Sequence, residues 1–508
     1  MDKTQLAQLL GFGGEDIAKA LTTSSGFSGI NLEAQAKLML PLYAGLRNRI
    51  PVDSAKAGAT QALYRAMLGY GTFDFGAAMG TAEAGVGTEI DGSAVEFACD
   101  YKSQAIKGDV TLQAIYASKG YDDALAVQTS VNLSTLLKLE ELGVLGGNEV
   151  ALVDGSDGTG AAVGTGSYTA TAVYVVTALT LQGTLANASG SPVKGAVITN
   201  AKLGESVGQT ITCSGAAGSK LAANLSWKPV PGALGYKVYA GATAAAAVPV
   251  DPNTAIAYPT SSTSVVGTHM VVPTGQTYIT TTACQVYAAG SGTAMGATWL
   301  DGTANANSYE GLTAWTQKGA ATAPMYGKTL GAHPQVDCQG AILTPTGSGI
   351  AEFDTILAQL WGTWKISPSL ILCSPNGTAA LSNALMGINS GFSNRIDITA
   401  ERGRFVGGAY VGGYVNKYAS TMLPGQPSSI EVWAHPEFPD GTFLFLTERI
   451  PYAYSREARA FALDVRIPYT YFELAKSSLS YPFSIVFDQT LKCDHPLAQA
   501  SVVGVRVA

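Results

Sequence analysis

The sequence predicts an α+β protein interrupted by an all-β sandwich, and three observations carry that prediction. Between residues 151 and 300 only nine positions are charged and none is arginine, although charged residues make up 13 % of the 508-residue chain. That stretch is rich in Thr, Val, Ala and Gly and falls into short alternating runs, the period of half-buried strands. Outside it, apolar residues recur at helical spacing in several segments before the C-terminal part returns to alternation. At roughly 100–200 residues per domain, the length allows about two to four domains.

Composition narrows the function. Hydrophobic residues reach 47 % while charged residues are about half their usual quarter. The resulting neutral surface is one that a protein usually covers with copies of itself or with partners. Net charge is −7, from 30 Lys+Arg against 37 Asp+Glu, with no basic run of five. A protein that wraps or reads nucleic acid needs clustered cations to displace counterions, so that class is disfavoured. The opening MDKTQLAQLLGFGG lacks a basic-then-apolar signal pattern, and no stretch approaches about 18 uninterrupted apolar residues. Secretion and membrane spanning are therefore not expected, nor is loss of a propeptide from a chain beginning at Met1. The six cysteines are scattered without a CxxC, which fits synthesis in a reducing compartment.

Taken in order, residues 31–47 (NLEAQAKLMLPLYAGLR) predict a helix. Within an extended span at 70–120, GSAVEFACDY (92–101) and GDVTLQAIYAS (108–118) alternate like the two arms of a long hairpin turning at Lys102, Lys107 and Gly108. Such an arm has too little around it to be buried locally. It is expected to lie on another copy of the chain, through Val95, Phe97, Tyr101, Leu112, Ile115 and Tyr116. Residues 122–142 then predict a long helix, opened by Asp122 and Asp123, carrying Leu133, Leu136, Leu137 and Leu139, and stopped at Gly143. Its length would be roughly 32 Å at 1.5 Å per residue.

The low-charge island lies between the glycine-rich joints GSDGTGAAVGTGS (155–167) and AAGSGTAMG (288–296). TATAVYVVTALTLQG (169–183) and GQTITCSG (208–215) read as strands. In LSWKPVPGALGYKVYAG (225–241) a strand carries Trp227, Pro229, Pro231 and Gly232 turn the chain, and a second strand follows. Trp227, Tyr236, Val238 and Tyr239 are the candidate core, set to meet across two sheets. This piece resembles fibronectin type III and related immunoglobulin-like sandwiches; an ordinary β domain with a core tryptophan is the alternative. Beyond the island, 350–364 and 376–388 are amphipathic helices. From Gly441 the chain turns to strands, broken at Pro451, Pro468 and Pro482 and ending on SVVGVRV.

No catalytic constellation stands out. The four histidines are far apart, and there is no HExxH, GxSxG, Walker loop or GxGxxG. Cys493, Asp494 and His495 read as a turn between strands, which Pro496 supports. Asp154, Asp157 and Gly158 have the flavour of a calcium loop but lack its later glutamate, and read as a linker. Trp361 and Trp364 read as core or interface residues. No enzymatic activity, metal or cofactor is expected.

An N-terminal arm, an extended hairpin, a long helix ending in LEELGVLGG, an α+β region and long C-terminal strands together resemble the major capsid protein of tailed bacteriophages, with its Hong Kong 97-like fold. LPLYAGLRNRIPVDSAKAG (40–58) looks like its arm-to-loop passage, and residues 465–507 look like its peripheral-domain ending. The resemblance implies an N-terminal arm and start of the peripheral domain at 1–69, the extended loop at 70–120 and a spine helix at 121–150. The inserted immunoglobulin-like sandwich follows at 151–300, the axial domain at 301–440 and peripheral strands at 441–508. It further implies hexamers and pentamers self-assembling into an icosahedral head that encloses double-stranded DNA without sequence-specific binding, with the sandwich projecting outward. Assembly would take place in the bacterial cytoplasm and the product would be the virion. Partners implied are a separate scaffolding protein (the arm is short for a fused one), a portal, and a cement or decoration protein. One member of this fold cross-links lysine to asparagine between subunits, with a glutamate as base; Lys102, Lys107 and Lys119 lie in the matching loop. The alternatives are an encapsulin-type nanocompartment shell, or a phage tail or adhesive protein with a fibronectin-like module.

Overall fold

The structure is a computed structural model that describes residues 44–55, 58–69, 93–118, 123–152, 159–163, 173–188, 204–214, 222–252, 256–257, 276–287, 294–296, 301–346, 349–388, 411–419, 429–450, 459–476 and 478–507. Expectations for residues 1–43, 70–92, Lys119, Asp122, Asp154, the glycine-rich joints at 155–158, 164–167 and 288–293, and one of the four histidines, His269, fall outside these residues. The described chain is mixed α+β.

After a short helix at Gly45–Arg49 come Val52–Ser54 (β1), Gln61–Gly69 (β2), Ser93–Asp100 (β3) and Lys102–Thr111 (β4). Helices Leu112–Ser118 and Ala124–Gly146 follow. The island holds Thr159–Val163 (β5), Val173–Leu179 (β6), helix Leu181–Ala188, Gln209–Ser214 (β7), Ala222–Ser226 (β8), Gly235–Gly241 (β9), Val248–Pro249 (β10), Ile256–Ala257 (β11) and Ala283–Val286 (β12). Beyond it lie helix Leu312–Gln317, Gln335–Asp337 (β13), Pro345–Thr346 (β14), Gly349–Ile350 (β15), helix Ala351–Trp364, Leu370–Cys373 (β16) and helix Pro375–Ile388. Gly413–Val415 (β17), Ser429–Ala434 (β18), Phe443–Leu446 (β19), Phe461–Glu473 (β20), Ser480–Cys493 (β21) and Ala500–Val503 (β22) complete the order.

The hairpin differs from the expected one. β3 pairs antiparallel with β2, Tyr64 opposite Phe97 and Ala62 opposite Cys99, and not with 108–118. β4 leaves immediately for another sheet, of order β1-β20-β21-β4, so the chain does not turn back at Lys107 and Gly108. Residues 112–118 are helical: the Thr111 hydroxyl accepts the Ala114 N–H at 3.3 Å as an N-cap, and Leu112, Ile115 and Tyr116 stand at i, i+3 and i+4, a spacing that strict alternation does not give. The long helix begins as expected, the Asp123 carboxylate accepting the N–H groups of Leu125 and Ala126 at 3.0 and 3.3 Å. It runs past Gly143 to Gly146 because Val144 and Leu145, both fully buried, gain more from the core than glycine costs there, about 1 kcal/mol.

The island is not all-β. Leu179 ends β6, and residues 181–188 form a helix whose Leu181 enters the main core. Its eight strands are ordered β10-β9-β6-β7-β5-β8-β12-β11, with β7 antiparallel to β6 and parallel to β5. Trp227, just after β8, meets Tyr236 of β9 edge to face, ring centroids 5.4 Å apart, and Val238 shares their core. Tyr239 points to the other side of β9, packing with Val175, Ala247 and Met295 and donating from its hydroxyl to Glu205. The turn falls as predicted: Gly232 adopts φ +87°, and the Tyr236 hydroxyl accepts the Val230 N–H at 2.9 Å.

A six-stranded sheet, β13-β22-β19-β16-β18-β17, organises the region after the island. It takes β19 and β22 from beyond residue 441, so the expected boundary at 440/441 cuts through one sheet. Helix 351–364 lays Phe353, Ile356, Leu357 and Leu360 on it, an i, i+3, i+4, i+7 stripe. Phe353 meets Tyr414, Phe443 and Phe445 edge-on at 5.4, 5.3 and 5.0 Å. Helix 375–388 is capped by the Ser374 hydroxyl, which accepts the Gly377 N–H at 2.9 Å. Two of the three prolines do not break the last strands: β20 runs through Pro468 and β21 through Pro482, while Pro451 lies outside the described residues. Each lacks only its own N–H, and the Pro482 carbonyl still accepts the Leu474 N–H at 3.0 Å.

The described residues divide into two compact units. One holds the described residues within 106–135 and 471–485; the other holds those within 44–105, 136–470 and 486–507, the described part of the island included.

Candidate assembly surface

In the smaller unit the ends of the two longest strands and helix 112–118 are held by a thin core. Val110, Phe483 and Ile485 are buried, and Tyr471 stacks on Phe483 with ring centroids 5.2 Å apart. β4 passes close by because Gly108 has no side chain: a Cβ there would stand 2.4 Å from Phe483 Cζ and 2.5 Å from Asn132 Nδ2. The Leu112 N–H donates to the Leu479 carbonyl at 3.0 Å, tying the helix to the strand connection. Lys476 sits 3.7 Å from the centre of the Tyr481 ring, a cation over a π face.

The outside of this unit carries several large apolar side chains among its charged ones. Leu479 is 81 % exposed and Tyr116 66 %, with Tyr471, Phe472, Leu474 and Tyr481 also exposed. Burying each such side chain fully would contribute about 1.5–3 kcal/mol, and exposed clusters of this kind mark interaction surfaces.

The six residues expected to contact another copy separate into two groups. Val95, Phe97 and Tyr101 lie in the larger unit and are turned onto its own core. Phe97 is fully buried, edge-on to Trp315 at 5.4 Å, and the Tyr101 hydroxyl reaches Asp464 at 3.1 Å; burial, then Asp464, push that phenol up to about 12. Along β2 and β3, Ala62, Ala66, Phe97 and Cys99 are buried while Leu63, Arg65 and Glu96 alternate with them in solvent. The hairpin therefore has its inner face covered by this same chain, which corrects the expectation of an arm without a partner of its own. Leu112 and Ile115 are half-buried and Tyr116 is free, all in the smaller unit. Of the four island residues, Trp227, Tyr236 and Val238 share one core and Tyr239 belongs to a second. The strand-end residues Phe472, Leu474 and Leu479 were missed as surface candidates; the signal was present in YFELAKSSLSY, where large apolar residues stand among polar ones on both sides of the polar KSS.

Other chemistry-bearing groups are placed apart. His333 and His495 are buried, each held down to about 4 chiefly by that burial, and His495 opens the turn Pro496–Ala498 beside Trp364. Cys99, Cys284, Cys338, Cys373 and Cys493 are free thiols, Cys99 pushed up to about 12 by burial. Lys102 pairs with Glu149 at 2.5 Å, and Lys107 is exposed. Among the described residues no group of three His, Cys, Asp or Glu side chains could hold a metal, and no helix is long and apolar enough to cross a membrane.

Among solved structures, the chain is similar to the capsid of a native GTA particle, with 8 % identity, 96 % of this chain and 98 % of that one covered, and a TM-score of 0.42. It is similar to the cyanophage A-1(L) capsid at 9 % identity, with 96 % and 99 % covered and a TM-score of 0.43. Similarity to the holo-SrpI encapsulin complex from Synechococcus elongatus PCC 7942 has 9 % identity, 97 % and 96 % coverage and a TM-score of 0.32. No protein-family model matches the chain, and no curated protein matches it.

Proposed function

We propose that this chain is the major subunit of a closed icosahedral shell, the head of a tailed double-stranded DNA bacteriophage. The observation that carries the reading is the apolar surface of the smaller unit, where Tyr116, Phe472 and Leu479 stand in solvent. In a shell every subunit repeats the same edge, so each such side chain is buried once per neighbour and modest contacts multiply. The chain order supports the same reading: a two-stranded hairpin, a 23-residue helix, a helix-covered sheet and two strands of 13 and 14 residues. A net charge of −7 suits a container that encloses a polyanion without gripping it. The protein has a structural role and no enzymatic one, and the island decorates the outer surface.

Sedimentation velocity of the purified full chain tests this. Particles far larger than a hexamer are expected, and a single monomeric species at every concentration overturns the reading. Nucleic acid recovered from particles made during infection separates a genome container from an encapsulin-type shell carrying protein cargo.

A further inference from the structure

Where the long helix hands the chain to the island, three side chains meet out of water. Lys318, at the end of helix 312–317, is 2 % exposed; Glu310 is fully buried and Asn148 nearly so. The Lys318 Nζ donates to Asn148 Oδ1, to the Val150 carbonyl at 2.9 Å and to both Glu310 oxygens at 3.1 and 3.2 Å. The Asn148 amide is clamped by its Nδ2, which donates to the Thr303 carbonyl at 2.9 Å, and Glu310 also accepts the Val150 N–H at 3.0 Å. Gly232 closes the site: a Cβ there would come 3.0 Å from Lys318 Cε.

We infer that Lys318 and Asn148 join in an intrachain isopeptide bond, with Glu310 as the proton carrier. The geometry supplies what the reaction needs: an amine held against a carboxamide, a carboxylate on the amine, and no water to compete. Burial drives Lys318 down and Glu310 up, which favours the neutral amine and acid over the ion pair. The amine lone pair attacks Asn148 Cγ, so the Nζ–Cγ bond forms. Glu310 takes a proton from Nζ and delivers one to Nδ2, the Cγ–Nδ2 bond breaks, and ammonia leaves. Nothing is oxidised or reduced, and no co-reactant is required.

The two residues are 170 apart in sequence, and the island lies between them. The bond would close that whole domain into a covalent ring at its base, so unfolding or nicking of the island could not release it. It differs from a cross-link between subunits, and none of the loop lysines Lys102, Lys107 or Lys119 takes part. It is also independent of the shell reading.

Intact-mass spectrometry of the denatured full chain, followed by digestion with a lysine-specific protease, tests it. The expected wild-type mass is that of one chain less one ammonia, with no cleavage after Lys318 and a branched peptide joining the segments around 148 and 318. Glu310→Gln and Lys318→Arg are expected to restore the full mass. A folded wild-type chain at full sequence mass, cut normally at Lys318, overturns the bond whether or not the variants fold. A Glu310→Gln chain that still lacks the ammonia overturns the role given to Glu310.

Discussion

Glu141 and His435 meet at 3.1 Å although 294 residues separate them. His435 Nδ1 accepts the Glu437 N–H at 3.2 Å, so Nε2 carries the proton and donates to the carboxylate. The same carboxylate accepts the N–H groups of Leu46 and Arg47 at 2.9 and 2.7 Å. One buried side chain of the long helix thus anchors the start of the described chain and the turn after β18.

Removing that anchor takes the Glu141 acceptor away from the Leu46 and Arg47 N–H groups and from the His435 ring. Glu141→Ala is expected to lower stability by about 2–5 kcal/mol, and Glu141→Gln by less, since its carbonyl still accepts. Urea unfolding of the unassembled variants measures both.

The island core depends on one aromatic contact and one hydroxyl. Tyr236→Phe leaves the buried Val230 N–H unpaired, an expected loss of about 1–3 kcal/mol. Trp227→Ala removes a ring packed edge-on to Tyr236 and is expected to lose about 3–5 kcal/mol. Thermal unfolding followed by tryptophan fluorescence for the first variant, and by circular dichroism for both, reads these losses.

Acid is expected to weaken the fold through two histidines. His333 and His495 hold their protons only below about 4 when folded, against 6.5 in the unfolded chain. Between those values the unfolded state binds more protons, so the stability present above pH 6.5 is lost as pH falls towards 4, by about 3 kcal/mol for each group. Denaturant midpoints between pH 7 and 4.5 measure this slope, and His333→Asn is expected to flatten it.

Surface and stability should separate at the strand ends. Leu479→Asp and Tyr116→Asp alter side chains that stand mostly in solvent, so unfolding midpoints should move by no more than about 0.5 kcal/mol. Assembly should be lost in both. Light scattering of matched wild-type and variant samples makes the comparison.

Local chemistry was legible at several points. The Asp123 cap, the turn at Gly232, the meeting of Trp227 with Tyr236 and the stripe on helix 351–364 each follow from a few neighbouring residues. The hairpin was not legible, because alternation in 92–101 says that a strand exists and leaves its partner open; β2 supplied it from 24 to 39 positions upstream. In 112–118 the i, i+3, i+4 spacing of Leu112, Ile115 and Tyr116 is that of a helix, which the Thr111 cap starts, and Ile115 breaks the alternation read there. Exposure at Leu479 and the meeting of Lys318, Glu310 and Asn148 depend on tertiary placement, which no local pattern encodes.

Cryo-electron microscopy of the purified full-length protein tests the central claim most directly. Closed polyhedral particles are expected, with Tyr116, Phe472 and Leu479 covered by a neighbouring copy. Dispersed single chains that keep those three side chains in water at assembly concentrations would contradict it.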